Sequence, residues 1–150
     1  MPRFKFRLAT LLRLREMARD ERRAQLAEAF RAQDLLDEQK RQVDEHLAAV
    51  RHRARLSVSP GEINVDRLME TRRFEMILMA QRAHFDQQQE MLSAETERRR
   101  QALVEANREV QVLEHLRTRL HDRHRAEEAG REMKFMDEVA QQQVARRERP

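Results

Sequence analysis

Ser57-Val58-Ser59-Pro60-Gly61-Glu62 sets two turn formers side by side, and no other stretch of the 150-residue chain does so. Upstream, from about Phe6 to Leu56, there is neither Gly nor Pro. Downstream, Gly130 is the only breaker before Pro150. The spacing of Ser59 and Glu62 is that of a capping box, with Pro60 at the first helical position. Asn64 is a competing N-cap one turn later. Either way a second helix starts between Pro60 and Val65. The expected organisation is one helical hairpin over 1–150, with helix 1 at about 6–56, a turn at about 57–63 and helix 2 at about 64–146.

Apolar spacing supports that reading. Leu11, Leu14, Ala18, Ala29, Ala32, Leu36, Val43, Leu47, Val50 and Ala54 are separated by threes, fours and their sums. Glu21, Gln25 and Gln39 interrupt this stripe, and its heptad slips once between Ala18 and Ala29. In helix 2 the stripe is Met69, Arg72, Met76, Met79 and Ala83. It resumes at Leu103, Ala106, Val110, Leu113 and Leu120, then at Ala126, Ala129, Met133, Met136 and Ala140. A short loop between two such stripes makes an all-α, antiparallel two-helix coiled-coil hairpin with the second helix longer. At the helical rise the two helices measure roughly 70 Å and roughly 125 Å. Leu11 then falls opposite Asn107, and the chain after about Gln111 has no intramolecular partner. Weak pairing is expected from Gln87 to Arg100, which is nearly all polar.

Composition agrees and excludes much else. The chain is 39% charged, has a mean hydropathy of -0.95, and contains no Cys, Trp or Tyr. Large apolar side chains are too few for a thick globular core. Scarce Gly and Pro argue against disorder and for long helices. Without Cys there is no disulfide, thiolate metal site or thiol nucleophile. With glycine only at 61 and 130, a phosphate-cradling loop cannot form. Ser57, Ser59 and Ser93 have no His base near them in sequence. The expectation is a protein that is not an enzyme and uses no cofactor. His121 and His124, with Glu128 a turn further on, have a spacing that could ligate zinc. The neighbouring Arg119, Arg123 and Arg125 favour a solvated face instead.

Charge is interspersed by sign, with 31 basic against 27 acidic side chains. Residues 1–15 differ: Arg3, Lys5, Arg7, Arg13 and Arg15 occur there without an acid. This basic start suits an acidic partner or an anionic surface. Its apolar patch at Ala9–Leu12 is too short for a signal core or a membrane span. A cytoplasmic location with no transmembrane segment is therefore expected. No dense basic block precedes a zipper, so specific nucleic-acid binding is not expected. A basic nucleic-acid-associated coiled coil, or a general scaffold, is the alternative reading.

Residues 74–85 carry two apolar stripes. Met76, Met79 and Ala83 continue the seam. Phe74, Leu78, Gln81 and Phe85 are offset by two residues, about 200° around the helix, and face away from it. The expectation is that the second strip is exposed and marks a partner site.

Both ends of the chain resemble one family. Phe4-Lys5-Phe6-Arg7-Leu8, Leu11-Leu12-Arg13-Leu14-Arg15-Glu16 and Leu26-Ala27-Glu28-Ala29 are similar to the start of the flagellar export protein FliJ family. Arg131-Glu132-Met133-Lys134 and Asp137-Glu138-Val139-Ala140 are similar to its C-terminal signature. The resemblance implies a hairpin like the central stalk of rotary ATPases. It also implies a non-enzymatic part of the flagellar type III export apparatus, at the inner membrane face of the flagellar base. The implied partners are the export ATPase ring, the cytoplasmic domain of the export gate protein, and export chaperones. By correspondence the gate contact maps to Phe74, Leu78, Gln81 and Phe85. Gln81 and Phe85 depart from the small residue and the histidine expected there. The ring-entering end would comprise Arg3, Lys5, Arg7, Arg13 and Arg15 with Arg131, Lys134, Asp137 and Glu138.

Overall fold

The computed structural model describes residues 3–58 and 61–147. Among them there are two helices and no strand: α1, Ala9–Leu56, and α2, Val65–Arg147. The fold is an all-α helical hairpin whose second helix is the longer. α1 begins at Ala9 rather than near residue 6, because residues 3–6 are not helical.

The ends of the connection follow from capping chemistry. The Ser57 N–H and hydroxyl both donate to the Arg53 carbonyl, at 3.1 and 2.9 Å, closing the last turn of α1. Arg53 and Arg55 lie in that turn, where the helix dipole favours cations. α2 is capped by Asn64, whose Oδ1 accepts from the Arg67 N–H at 3.2 Å. A start at Pro60 is not realised, since residues 61–64 are not helical. Ser59 and Pro60 themselves lie outside the described residues. Gly61 has φ +153°, a backbone conformation in which a side chain is strained although the space around it is open.

The chain divides into two compact units, each built from parts of both helices: Glu21–Val104, and Met1–Asp20 with Glu105–Pro150. In the Glu21–Val104 unit, ion pairs join Arg51 to Glu75, Asp44 to Arg82 and Lys40 to Asp86, and Arg99 donates to the Gln25 carbonyl. One partner's number falls as the other's rises, so the helices run antiparallel. The α1 seam is Ala29, Gln33, Leu36, Lys40, Val43, Leu47, Val50 and Ala54, in alternating steps of four and three. The α2 seam is Leu68, Thr71, Glu75, Leu78, Arg82, Phe85, Gln89, Leu92, Thr96, Arg99 and Leu103, with the same alternation. Val43, Leu47, Val50 and Leu78 form its apolar core, with Phe85 packed against it.

This corrects the expected face of α2. Leu78 is only 4% exposed, while Met76 and Met79 are 70% and 50% exposed. The methionine stripe lies outside and the Leu78–Phe85 stripe inside. An apolar count missed it because six of the eleven seam positions carry Thr, Glu, Arg or Gln between the apolar ones. The polar stretch from Gln87 to Arg100 also pairs better than expected. Lys40 reaches Gln89 as well as Asp86, and Thr96 is buried with its hydroxyl donating to the Leu92 carbonyl.

In the other unit Leu12, Val110 and Leu113 form the core, and Phe6 packs on them. Leu12 is buried, whereas Leu11, Leu14 and Ala18 are exposed, so the seam is rotated from the expected one. From Leu12, alternating threes and fours lead through Arg15, Arg19, Arg22 and Leu26 to Ala29. Contacts also extend past Gln111. Residues 3–6 are not helical, and Phe4 reaches His121 and His124.

Candidate partner interfaces

The proposed gate residues split in two. Phe74 and Gln81 are exposed on α2. Leu78 is buried and Phe85 half-buried, both against the α1 seam. The strip is therefore not one exposed face. Two further apolar side chains that the periodicity had not marked as free, Met76 and Ile77, are exposed, Ile77 on the same side of α2 as Phe74. A single-sequence signal for them existed: both lie off the three-four alternation that runs from Leu68 to Leu103.

Charged layers hold this segment of α2 in place. Glu75 is buried, and its two carboxylate oxygens accept from Arg51 at 2.9 Å and Arg72 at 3.0 Å. Hydrogen bonding, first from Arg51, lowers the Glu75 pKa below its usual value despite the opposing desolvation. Asp86 is lowered in the same way, chiefly by Lys40 with Arg82 assisting. Arg82 bridges Asp44 at 2.7 Å and Asp86 at 2.6 Å, and its own pKa is raised, chiefly by Asp44. A lowered carboxylate adds stability that is present above its unfolded pKa, about 4.3 for Glu and about 3.9 for Asp. That contribution disappears as pH falls through the folded value. Glu75→Gln is accordingly expected to melt below the parent at pH 7, with the gap closing towards pH 3. Thermal melts of the two proteins across that range check it; a gap that widens on acidification contradicts it.

The other proposed contact lies in the second unit. Arg3, Lys5 and Arg7 alternate with Phe4, Phe6 and Leu8 along a groove shared with Leu120, Arg123, His124 and Glu127. The Phe4 ring meets His121 and His124 edge-on, with centroids 5.4 and 5.7 Å away. His124 Nε2 lies 3.7 Å from Glu128 Oε1. The histidine face is thus partly covered by Phe4 rather than simply solvated. No group of three or more metal-ligating side chains occurs among the described residues. Arg15 pairs with Glu109 at 2.8 Å. Arg13, Arg131, Lys134, Asp137 and Glu138 are exposed and make no ion pair among the described residues. Arg131, Lys134 and Glu138 share one side of α2 by their spacing.

The model of the flagellar FliJ protein family matches residues 4–149. The chain belongs to the flagellar FliJ family. As a FliJ-family member it is a component of the flagellar export apparatus, in a family that is non-enzymatic. No curated protein and no solved structure matches it. Among its described residues, no helix is long and apolar enough to cross a membrane. Both candidate FliJ-type contacts can now be located: the gate residues fall in the Glu21–Val104 unit, and the basic start and the 131–138 segment fall in the other.

Proposed function

We propose that this FliJ-family chain is a non-catalytic stalk that binds inside the export ATPase ring and promotes its activity. It couples the ring to the cytoplasmic domain of the export gate and to export chaperones. It works in the cytoplasm, at the inner membrane face of the flagellar base. The observation that carries the reading is the family match over nearly the whole chain. The placement of the two sets of candidate residues in different compact units supports it, because a coupling element needs separate contacts.

At the ring, Arg3, Lys5, Arg7, Arg13, Arg15, Arg131, Lys134, Asp137 and Glu138 supply charge of both signs. An asymmetric charge pattern favours closure of some ring subunits over others, and so biases hydrolysis without any catalytic group on the stalk. At the gate, Phe74 and Gln81 make the direct contact. Leu78 and Phe85 serve it by packing α2 against α1, which fixes the helix face that carries Phe74.

Phe74→Ala is expected to weaken binding to the purified gate domain about tenfold, within the range for an aromatic anchor. Its thermal melt should stay close to the parent's, since Phe74 is half exposed. Isothermal titration with parallel melts tests this. Unchanged affinity for the gate domain would remove Phe74 from the site.

A further inference from the structure

On the side of the seam away from Phe74, three arginines surround one carboxylate near the connection between the helices. Arg51, Arg55 and Val58 follow one another along the end of α1 in steps of four and three. Leu68, Arg72 and Glu75 do the same at the start of α2. The two rows line one groove, together with Ala54. The ion pairs set the register of the helices: Arg51 is level with Glu75, Asp44 with Arg82 and Lys40 with Asp86. The same register puts Val58 level with Leu68, and Arg55 level with Thr71, one residue from Arg72. The groove thus has three layers: Arg51 with Glu75, Arg55 with Arg72, and Val58 with Leu68. The Val58 N–H donates to the Arg55 carbonyl at 3.3 Å, which carries the row past the end of α1. The middle layer sets like charge against like charge. Charged layers further along this unit pair opposite signs: Asp44 with Arg82, Lys40 with Asp86 and Glu28 with Arg99. Glu75 is buried, and both its oxygens are engaged, Oε1 by Arg51 Nε at 2.9 Å and Oε2 by Arg72 Nη1 at 3.0 Å. Arg55 makes no ion pair or side-chain hydrogen bond among the described residues. Three arginines and one glutamate leave the groove a surplus of two positive charges.

We propose that this groove is a binding site for an acidic segment of a partner protein, which sets a carboxylate between Arg55 and Arg72 and an apolar side chain on Val58 and Leu68. Charge complementarity and the apolar layer together choose the occupant. A guanidinium fork matches a planar carboxylate, and one carboxylate in the middle layer relieves the repulsion on both arginines at once. Arg72 still has Nε and Nη2 to offer while Nη1 holds Glu75, so binding leaves that internal pair intact. Val58 is 54% exposed, and with Leu68 and Ala54 it gives the groove an apolar end directly beside the charge. A bare inorganic oxyanion leaves that end in water, whereas an acidic residue next to an apolar one covers both layers. The groove beside Phe74, which Val50, Arg53, Glu70 and Thr71 complete, shares no residue with this one. None of the groove's residues belongs to the gate or ring sets, so the inference stands apart from both assignments.

The test is an NMR titration of the purified full chain that follows its arginine Nε–Hε signals. The probes are a blocked hexapeptide of alternating leucine and glutamate, the same peptide with glutamine in place of glutamate, and sodium phosphate. The glutamate peptide should move the Arg55 and Arg72 signals saturably, with a dissociation constant of about 0.1–1 mM for so few exposed contacts. The glutamine peptide should bind at least tenfold more weakly. Arg55→Glu supplies from within the chain the carboxylate that the middle layer calls for. It should therefore melt at or above the parent temperature at pH 7, and its affinity for the glutamate peptide should fall at least tenfold. Shifts spread evenly over exposed arginines such as Arg13 and Arg131 would show general charge attraction and overturn the proposal. Phosphate that binds as tightly as the glutamate peptide would make the groove a general anion site and overturn the assignment to a protein segment. An Arg55→Glu chain that melts well below the parent, or that binds the peptide as the parent does, overturns it equally.

Discussion

Leu78→Ala is expected to destabilise the protein by about 2–5 kcal/mol, the usual cost of emptying a buried leucine site. Leu78 sits among Val43, Leu47 and Val50, and the flanking Glu75 and Arg82 layers prevent the helices from closing onto a void. Met76→Ala and Met79→Ala should each stay within about 0.5 kcal/mol, because both side chains are largely in solvent. The contrast is diagnostic, since the apolar pattern alone assigns the two faces the other way round. Chemical denaturation of the three variants decides it. Equal losses for Leu78→Ala and Met76→Ala would mean that α2 is rotated from the arrangement described here.

The second large effect concerns the unit that contains the N-terminal segment. Val110 is 1% exposed and packs with Leu12 and Leu113 under Phe6. Val110→Asp places a carboxylate there with no basic side chain in the cluster to receive it. Such a group must remain uncompensated, take up a proton or expel its neighbours, each at a cost of several kcal/mol. Expulsion is the expected outcome. Among the described residues, Leu12, Phe4 and Phe6 hold the start of α1 on α2, with only the exposed Arg15–Glu109 pair beside them. Limited trypsin digestion should then cleave rapidly at Arg13 and Arg15, while fragments from Glu21–Val104 persist. Parent-like protection of those arginines would contradict the assigned core.

These two tests bracket what could be read from residues alone. The breaker pair Pro60-Gly61 in the sequence and the breaker-free stretches on either side imply two long antiparallel helices, and the helix cap falls on Asn64, one of the two candidates. Ala29, Leu36, Val43, Leu47, Val50 and Ala54 are on the seam as their spacing implies. The reading fails where seam positions are polar. Glu75, Arg82, Gln89 and Arg99 are kept at the seam by inter-helix hydrogen bonds, which hydropathy does not register. The methionines, apolar but outside, complete the misdirection. The start of α1 fails for another reason. Phe4 and Phe6 belong to a non-helical segment whose placement depends on His121, His124 and Val110, more than 100 residues away in sequence. The candidate gate strip inherits the first error. Phe74 and Gln81 are on the surface as expected, whereas Leu78 and Phe85 are structural.

The central functional claim is that this FliJ-family chain acts on an export ATPase through binding and not through chemistry of its own. It is tested most directly by the ATP turnover of the purified export ATPase, titrated with the chain. Turnover should rise and saturate with added chain, the chain alone should hydrolyse nothing, and Arg131→Glu/Lys134→Glu should shift the titration to higher concentration. A turnover rate that stays flat through a full titration with folded chain would contradict the account.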